Sequence, residues 1–266
     1  MKKLRNTFGT MALVGVALVG LYSCSEDKEN LPPSDERLSQ EELRTIISAD
    51  EIGGIADDAI AELYNNKSSV GKSMTAIPEQ CYTAEYSPTG FVATFNNCPL
   101  NGTDSVHGTV TVAYATDEET TTFTATFVDF YVGDIKINGT RSYTLHGNSD
   151  QNIGSFTVGS DLSAELEDGS SFSEHGTKTY IISFDDQSED LILTISGEWT
   201  VSMGGNTYHV KTLDTVAGNS SCGYPTTGKV AITKNGLEVI VDFGNGKCDD
   251  KVTVTYPNGA TEQMTM

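Results

Sequence analysis

The chain has 266 residues and is strongly acidic, with 37 Asp and Glu residues against 16 Lys and Arg residues and a formal net charge of -21. Its pI of about 4.3 leaves no basic surface for a phosphate backbone, which excludes nucleic acid as an expected partner. An anionic lipid surface would repel the chain as well. The hydrophobic fraction of 37% is well above that of disordered chains, so a packed core is expected.

Residues 1–23 predict a signal peptide. A basic start precedes an apolar run over 11–21, and this run is shorter than the about 20 residues that span a bilayer. The run ends in the sequence LYSC at 21–24, which resembles the lipobox of bacterial lipoproteins. In that family the cysteine receives a diacylglycerol and becomes the N-terminus, so the resemblance implies lipidation of Cys24. The alternative is ordinary secretion with Cys24 in a disulfide.

Residues 24–38 predict an acidic tether between the lipid and the folded part of the chain. The acidic cluster at 25–29, directly after Cys24, resembles the export signal of surface-exposed lipoproteins of the Bacteroidota. The resemblance implies an outer-membrane protein that is anchored in lipid through Cys24 and faces the cell exterior. A solvated acidic tether is the alternative. Removal of residues 1–23 takes away three positive charges and deepens the formal charge from -21 to -24.

Four cysteines remain once Cys24 is assigned to lipid, and four cysteines allow three pairings. The pairing of neighbours in sequence, Cys81–Cys98 and Cys222–Cys248, is favoured because each bond closes a short loop. Each such bond contributes about 3 kcal/mol on the chain-entropy model. No CxxC motif occurs and no histidine lies within five residues of a cysteine, so a zinc site is not expected.

Residues 39–66 predict a helical segment. Ser39 and Glu42 have the spacing of a capping box, and apolar residues then recur with helical spacing from residue 52 to residue 63. Gly53 and Gly54 are expected to break this helix into two pieces. The favoured role of the segment is to cover one face or open end of the following domain, and the alternative is a partner-binding helix.

Residues 75–266 predict an all-β domain, because apolar residues there alternate with polar ones. The stretch 191–203 shows this pattern, and the 33 threonines of the chain suit the outward positions of strands. Hairpin-sized turn signals separate about 11–12 strands. The prediction is a mainly β fold, an antiparallel sandwich or a strongly curved β meander, with an N-terminal helical segment. Gly139 and Gly197 are expected at bulges or bends where the sheet curls over its core.

One Gly-rich turn near the C-terminus is a candidate calcium site. Its candidate ligands are Asp242, Asn245, Asp249 and Asp250. Carboxylates and carbonyls in such a turn can supply the oxygens that Ca²⁺ requires, although the EF-hand pattern is not matched. The alternative is a tight hairpin turn fastened by Cys248, with the acidic residues in water. No other cofactor is predicted.

Two tripeptides are candidate modification sites. Ser105 and Thr215 each follow an aspartate and precede a valine. This pattern resembles the Asp-Ser/Thr-aliphatic site at which Bacteroidota glycosylate exported proteins, and the resemblance implies O-glycosylation at both residues.

Motifs that would indicate catalysis are missing from the sequence. It contains no G-x-S-x-G, no H-E-x-x-H and no P-loop. Glycoside hydrolysis needs two carboxylates across a cleft. Nothing in the sequence singles out a pair among the acidic residues on predicted strands, which are Glu165, Glu167, Glu174 and Glu198. Tyr143 and Trp199 would suit either a sugar-stacking platform or the core, and the core is favoured.

The C-terminal part resembles Gly/Thr-rich all-β lipoproteins of the Bacteroidota. In those proteins a Cys-x-Tyr-Pro stretch and a Gly-rich turn that ends in cysteine recur, and here they stand at 222–225 and 244–248. The resemblance implies no activity. We therefore expect a non-catalytic binding or adhesion module at the cell surface, for a glycan or a protein ligand. The alternatives are a glycan-acting hydrolase with two strand carboxylates and a structural, pilus-like surface subunit.

Overall fold

The computed structural model describes residues 31–33, 37–67, 81–99, 105–115, 121–148, 153–185 and 190–266. The predicted signal peptide, the lipidation site Cys24 and most of the tether lie outside these residues. Within the described ranges, the structure contains no helix with both the length and the apolar character needed to cross a membrane.

One helix, α1 (Gln40–Lys67), precedes the strands. It begins at the predicted capping box, where the N–H of Glu42 donates to Ser39 Oγ at 3.1 Å and the N–H of Ser39 donates to Glu42 Oε2 at 2.9 Å. The predicted break at Gly53 and Gly54 is wrong, because α1 runs through both residues without interruption. Packing of α1 against the sheet outweighs the cost of two interior glycines, about 1 kcal/mol each.

The rest of the described chain forms a single antiparallel sheet in which the strands follow one another in chain order. This confirms the mainly β fold and the meander, and the strand count is 13 rather than the predicted 11–12. The strands are β1 (Tyr82–Ser87), β2 (Gly90–Pro99), β3 (Ser105–Tyr114), β4 (Thr121–Val132), β5 (Ile135–Asn148), β6 (Ile153–Glu165), β7 (Ser171–Asp185), β8 (Asp190–Met203), β9 (Asn206–Asn219), β10 (Thr227–Lys234), β11 (Leu237–Asn245), β12 (Lys251–Thr255) and β13 (Thr261–Thr265).

The two faces of the sheet differ in polarity. On the inner face, every second side chain is buried, as Phe123, Ala125 and Phe127 show on β4. Each strand from β2 to β13 contributes at least one buried apolar residue to the same core as Leu43 and Ile46 of α1. The sheet therefore curves around the helix, and α1 covers its inner face.

The outer face carries rows of hydroxyl groups. Threonine pairs on neighbouring strands hydrogen-bond across this face, with Thr157 and Thr179 Oγ1 at 3.0 Å and Thr94 and Thr109 Oγ1 at 3.4 Å. Cross-strand pairs of this kind contribute roughly 0.2–1 kcal/mol each. The abundance of threonine thus follows from the large outward surface of the sheet, which β-branched residues fit well.

Gly139 and Gly197 mark bends in the sheet, as predicted. Their φ angles are +116° and +150°, and each lies beside a shift in strand register. A Cβ on Gly139 would lie 2.1 Å from the Asp161 carbonyl oxygen, and one on Gly197 would lie 2.2 Å from the Thr177 carbonyl oxygen. Only glycine fits such close approaches of two backbones.

Both predicted disulfides are confirmed. Cys81–Cys98 joins the start of β1 to the end of β2, and Cys222–Cys248 joins the β9–β10 loop to the β11–β12 loop. The Cα–Cα distances of 5.2 and 5.6 Å lie within the normal range for such bonds. The second disulfide crosses between two loops at one end of the sheet and fixes the β9–β10 loop in place.

Candidate functional site

A hollow of about 690 Å³ lies on the outer face of β7, β8 and β9, and we call it the polar hollow. Its volume falls within the range of small-molecule sites, about 300–1,000 Å³. The side chains that matter most for its chemistry are His175, Glu198, Thr200, His209, Lys211 and Thr212.

The polar hollow is formed by a bulge between β8 and β9. Residues 196–197 of β8 face residues 212–215 of β9, so β9 carries extra residues at this point. The N–H of Gly197 donates to Thr212 Oγ1 at 3.0 Å. A side-chain hydroxyl therefore accepts the hydrogen bond that a backbone carbonyl accepts in a regular ladder. Bulges commonly redirect side chains next to functional sites.

Three charged or ionisable side chains form a network in the polar hollow. His209 Nε2 lies 3.0 Å from Glu198 Oε1, and Lys211 Nζ lies 3.7 Å from Glu198 Oε2. His209 Nδ1 also lies 3.3 Å from Thr200 Oγ1. All three ionisable side chains are about half exposed, so these contacts contribute at most about 1 kcal/mol each to folding stability. Their donors and acceptors are open to a ligand.

The network continues across the neighbouring strands as one row. Thr200 pairs in register with His175 on one side and with His209 on the other, and His175 pairs with Asp161 of β6. His175 Nδ1 lies 3.7 Å from Asp161 Oδ1, and both side chains are nearly four-fifths exposed. With neighbouring strands about 4.8 Å apart, the row extends over about 14 Å.

A second constellation lies on the inner face beneath α1, and it consists of two acidic and two basic side chains. Arg141, only 1% exposed, donates from Nη2 to Asp57 Oδ2 at 3.1 Å, and its Nη1 lies 3.7 Å from Glu174 Oε1. Lys178 donates from Nζ to Glu174 Oε2 at 2.5 Å. The formal charges of these four groups cancel, which buried ions require. We call this set the buried charge cluster.

Asp57 is the contribution of α1 to the buried charge cluster. Tyr143 Oη donates to Asp57 Oδ1 at 2.5 Å, and Arg141 Nε lies 3.0 Å from the same oxygen. Burial raises the pKa of Asp57, and the positive charge of Arg141 and the hydrogen bond from Tyr143 oppose this effect. Burial and the Asp57 charge raise the pKa of Tyr143 well above its usual value. The middle of α1 is thus fixed to β5 by a carboxylate with donors from two side chains.

The start of α1 has a separate anchor at Glu42. Tyr208 Oη donates to Glu42 Oε1 at 2.9 Å, and Lys234 Nζ donates to the same oxygen. Burial acts to raise the pKa of Glu42, but the hydrogen bonds from Lys234, Ser39 and Tyr208 and the charge of Lys234 outweigh it and lower the pKa. The contacts at Glu42 and Asp57 hold α1 on the inner face of the sheet. This agrees with the favoured prediction that the helical segment covers one face of the β domain.

The acidic residues on predicted strands, which were considered as a possible catalytic pair for glycoside hydrolysis, lie in separate parts of the structure. Glu174 is buried on the inner face, whereas Glu198 stands on the outer face in the polar hollow. Glu165 and Glu167 line a different hollow of about 420 Å³ at the β6–β7 turn. Two further residues, Tyr143 and Trp199, are 4% and 6% exposed and belong to the core, as favoured.

The candidate calcium ligands are Asp242, Asn245, Asp249 and Asp250, and two of them are paired with other groups of the chain. Asp242 pairs with Lys229 at 3.3 Å, and Asp249 Oδ1 accepts the N–H of Lys251 at 3.1 Å. Across the described part of the chain, no three His, Cys, Asp or Glu side chains are grouped so that they could hold a metal ion. The calcium prediction therefore gains no support from the structure.

The two candidate glycosylation residues are both exposed. Ser105 begins β3, and Thr215 lies in the β9 bulge, where it lines the polar hollow. Their modification stays a prediction. A glycan on Thr215 would occupy the hollow or its rim.

Sequence reasoning missed the buried charge cluster, although the strand period contains a signal for it. Arg141 lies two residues from Gly139 and from Tyr143 on β5, and Lys178 lies two residues from Tyr180 on β7. Both basic residues therefore occupy inward positions of their strands. A charged residue in an inward position predicts a buried ion pair, because an unpaired charge there is too costly.

Comparison with protein-family models, with curated proteins and with solved structures finds no match to this chain. The lipoprotein family suggested by 21–24, 222–225 and 244–248 accordingly stays a prediction.

Proposed function

We propose that the protein is a non-catalytic binding module, anchored by lipid on the outer cell surface, which holds a glycan in the polar hollow. The observation that carries this proposal is the composition of the hollow, where threonine hydroxyls surround the Glu198–His209–Lys211 network. Glu198 and Lys211 compensate each other in charge. The hollow therefore suits a neutral ligand. An anion would be repelled by the acidic surface around it.

A sugar offers hydroxyl groups that both donate and accept, and the polar hollow presents both kinds of partner. Glu198 accepts, Lys211 donates, and the Thr200 hydroxyl does either. Leu213, 48% exposed at the same hollow, offers an apolar contact for the C–H face of a sugar ring. A few placed polar groups with an apolar contact are the usual composition of a specific small-molecule site.

The placement on the cell surface rests on the lipobox at 21–24 and the acidic cluster at 25–29. Replacement of Cys24 by Ala should release the protein from the membrane fraction. External protease should digest the wild-type protein on intact cells. A protein that stays protected until the outer membrane is opened would refute the outward orientation.

Binding is favoured over hydrolysis by the carboxylates of the site. Among the described residues that line the polar hollow, Glu198 alone carries a carboxylate. Both common mechanisms of glycoside hydrolysis use a pair of carboxylates. We therefore expect bound oligosaccharides to be recovered uncut.

A glycan array with the purified protein tests the proposal. We expect a set of related glycans to be retained, and His209→Ala to weaken their binding about tenfold through the loss of one to two hydrogen bonds. His146→Ala is the matched control, because His146 is also exposed and bonded to a threonine, Thr157, but lies outside the polar hollow. Retention of no glycan, or equal losses in both variants, would contradict the proposal.

A further inference from the structure

His209 is the one side chain of the Glu198–His209–Lys211 network that changes its charge near neutral pH, because histidine side chains gain a proton between about pH 8 and pH 5. Its side chain is 46% exposed, so protons reach it from solvent. The two ring nitrogens have different partners. Nε2 lies 3.0 Å from Glu198 Oε1, and Nδ1 lies 3.3 Å from Thr200 Oγ1. The charge of His209 therefore affects both neighbours that a ligand would meet in the polar hollow.

The partners of His209 determine where its proton lies when the ring is neutral. An ionised carboxylate only accepts hydrogen bonds, so the proton is on Nε2 and is donated to Glu198. Nδ1 is then an acceptor, and the Thr200 hydroxyl donates to it. In this state the O–H of Thr200 is already used. A ligand group that only accepts hydrogen bonds therefore finds one donor in the network, the ammonium group of Lys211.

Protonation of His209 reverses its contact with Thr200. Both nitrogens of the charged ring are donors, so Nδ1 donates to Thr200 Oγ1 and the hydroxyl proton turns toward the hollow. The charge of the network changes as well. Glu198 and Lys211 cancel each other, and the charged ring adds one positive charge. Both changes favour a ligand group that is negatively charged and only accepts hydrogen bonds.

The charged groups that face His209 from the neighbouring strands lie at two distances. Glu198 on β8 and Lys211 on β9 belong to the network itself. His175 on β7 and Glu238 on β11 lie in the same row, each two strands away, and the residue between His209 and Glu238 is an uncharged threonine of β10. Two strand spacings are about 10 Å, which exceeds the distance of about 8 Å over which physiological salt screens exposed charges. The network therefore dominates the charge that a ligand meets beside His209.

We propose that the polar hollow binds neutral glycans at neutral pH and also binds glycans that carry a carboxylate in mild acid, with protonation of His209 as the switch. This proposal rests on the proposed glycan-binding function and specifies its ligand class. Simple carboxylic acids have a pKa of about 3.5–4, so a uronic acid keeps its negative charge at about pH 5.5. The added positive charge lies inside the hollow, whereas the repulsion from the surrounding acidic surface is screened by salt.

A glycan array that carries neutral oligosaccharides and their counterparts with uronic acids tests the switch. The purified protein is applied at about pH 8 and at about pH 5.5, on either side of the range in which histidine titrates. We expect the ratio of acidic to neutral glycan retained to rise about fivefold in acid, which corresponds to one charge contact at a half-exposed site. High salt should reduce this rise, because salt screens exposed charges.

Substitutions of three histidines assign the switch to one residue. His209→Gln keeps a donor and an acceptor but does not titrate, so its ratio should be the same at both pH values. A higher protein concentration compensates for the weaker binding of this variant. His175→Gln should keep most of the rise, because the ionic partner of His175 is Asp161 on β6. His146→Gln is the matched control outside the polar hollow and should keep all of it.

Three results would overturn the switch and leave the glycan-binding function intact. The first is a ratio that does not change with pH in the wild-type protein. The second is a rise in His209→Gln as large as that of the wild type, and the third is loss of the rise in His175→Gln or His146→Gln. Retention of no glycan at either pH is a different result, because it overturns the proposed function and this inference with it.

Discussion

Gly53 and Gly54 are neighbours in α1, and we predict that alanine has opposite effects at the two positions. In a helix interior, replacement of Gly by Ala adds about 0.5–1 kcal/mol to stability. At Gly54 an added Cβ meets no heavy atom within 4 Å, so this gain is expected in full. At Gly53 the same Cβ would lie 2.3 Å from Arg141 Nη1. The guanidinium must then shift from its place in the buried charge cluster, where it contacts Asp57 and Glu174.

The loss at Gly53 is limited by the cost of breaking a buried ion pair completely, about 3–5 kcal/mol. After the helical gain is subtracted, Gly53→Ala should lower the free energy of unfolding by at most about 2–4 kcal/mol. Urea unfolding followed by circular dichroism measures both variants against the wild type, with unchanged m-values as a control for the unfolded state. In an Asp57→Ala background, Gly53→Ala should cost much less, because the interaction is already gone. Equal stabilisation by both alanines would refute the described contact between α1 and Arg141.

Three further changes test the anchors of α1. Tyr143→Phe removes the hydrogen bond to the Asp57 carboxylate and should lower the free energy of unfolding by about 1.5–3 kcal/mol in urea titrations. Ser39→Ala removes the N-cap and should cost about 1 kcal/mol in the same assay. Because the pKa of Glu42 is lowered by folding, its ionisation stabilises the fold above its ordinary value of 4.5, and this stabilisation disappears as the pH falls below that value. Glu42→Gln should therefore reduce stability at pH 7 and have little effect in acid, and an equal loss at both pH values would contradict the Glu42–Lys234 contact.

The anchors have a structural consequence for the proposed glycan site. α1 occupies the inner face where the buried charge cluster lies, so this part of the sheet is closed. The polar hollow is on the opposite face. A glycan can therefore enter the polar hollow without movement of α1.

Features that depend on short stretches of sequence were predictable. The alternation at 191–203 gives a strand with one buried face, because its period of two matches the pleat. The capping box at Ser39 and Glu42 forms as expected, since its partners lie within one helical turn. The disulfides connect cysteines that are close in sequence, and loop closure favours such pairs.

Features that depend on distant contacts were not predictable in the same way. From the sequence alone, Gly53 indicates a break in the helix. In the structure it leaves room for the Arg141 guanidinium, and Arg141 is far away in sequence. The β9 bulge at 212–215 lies opposite Gly197, which the sequence does indicate as a bend, but the sequence does not show which residues of β9 the bulge contains, because register is decided by pairing with β8. The polar hollow is lined by residues of three strands, so its residues could be recognised individually but not as a site.

The most direct test of the glycan site is a titration of the ¹⁵N-labelled protein with the strongest ligand from the array, followed by the shifts of its amide resonances. The proposal predicts saturable shifts at Glu198, Thr200, His209 and Lys211, with little change in α1. Shifts confined to other surfaces at saturation, or no shift at any ligand concentration, would contradict the assignment of the polar hollow as the glycan-binding site.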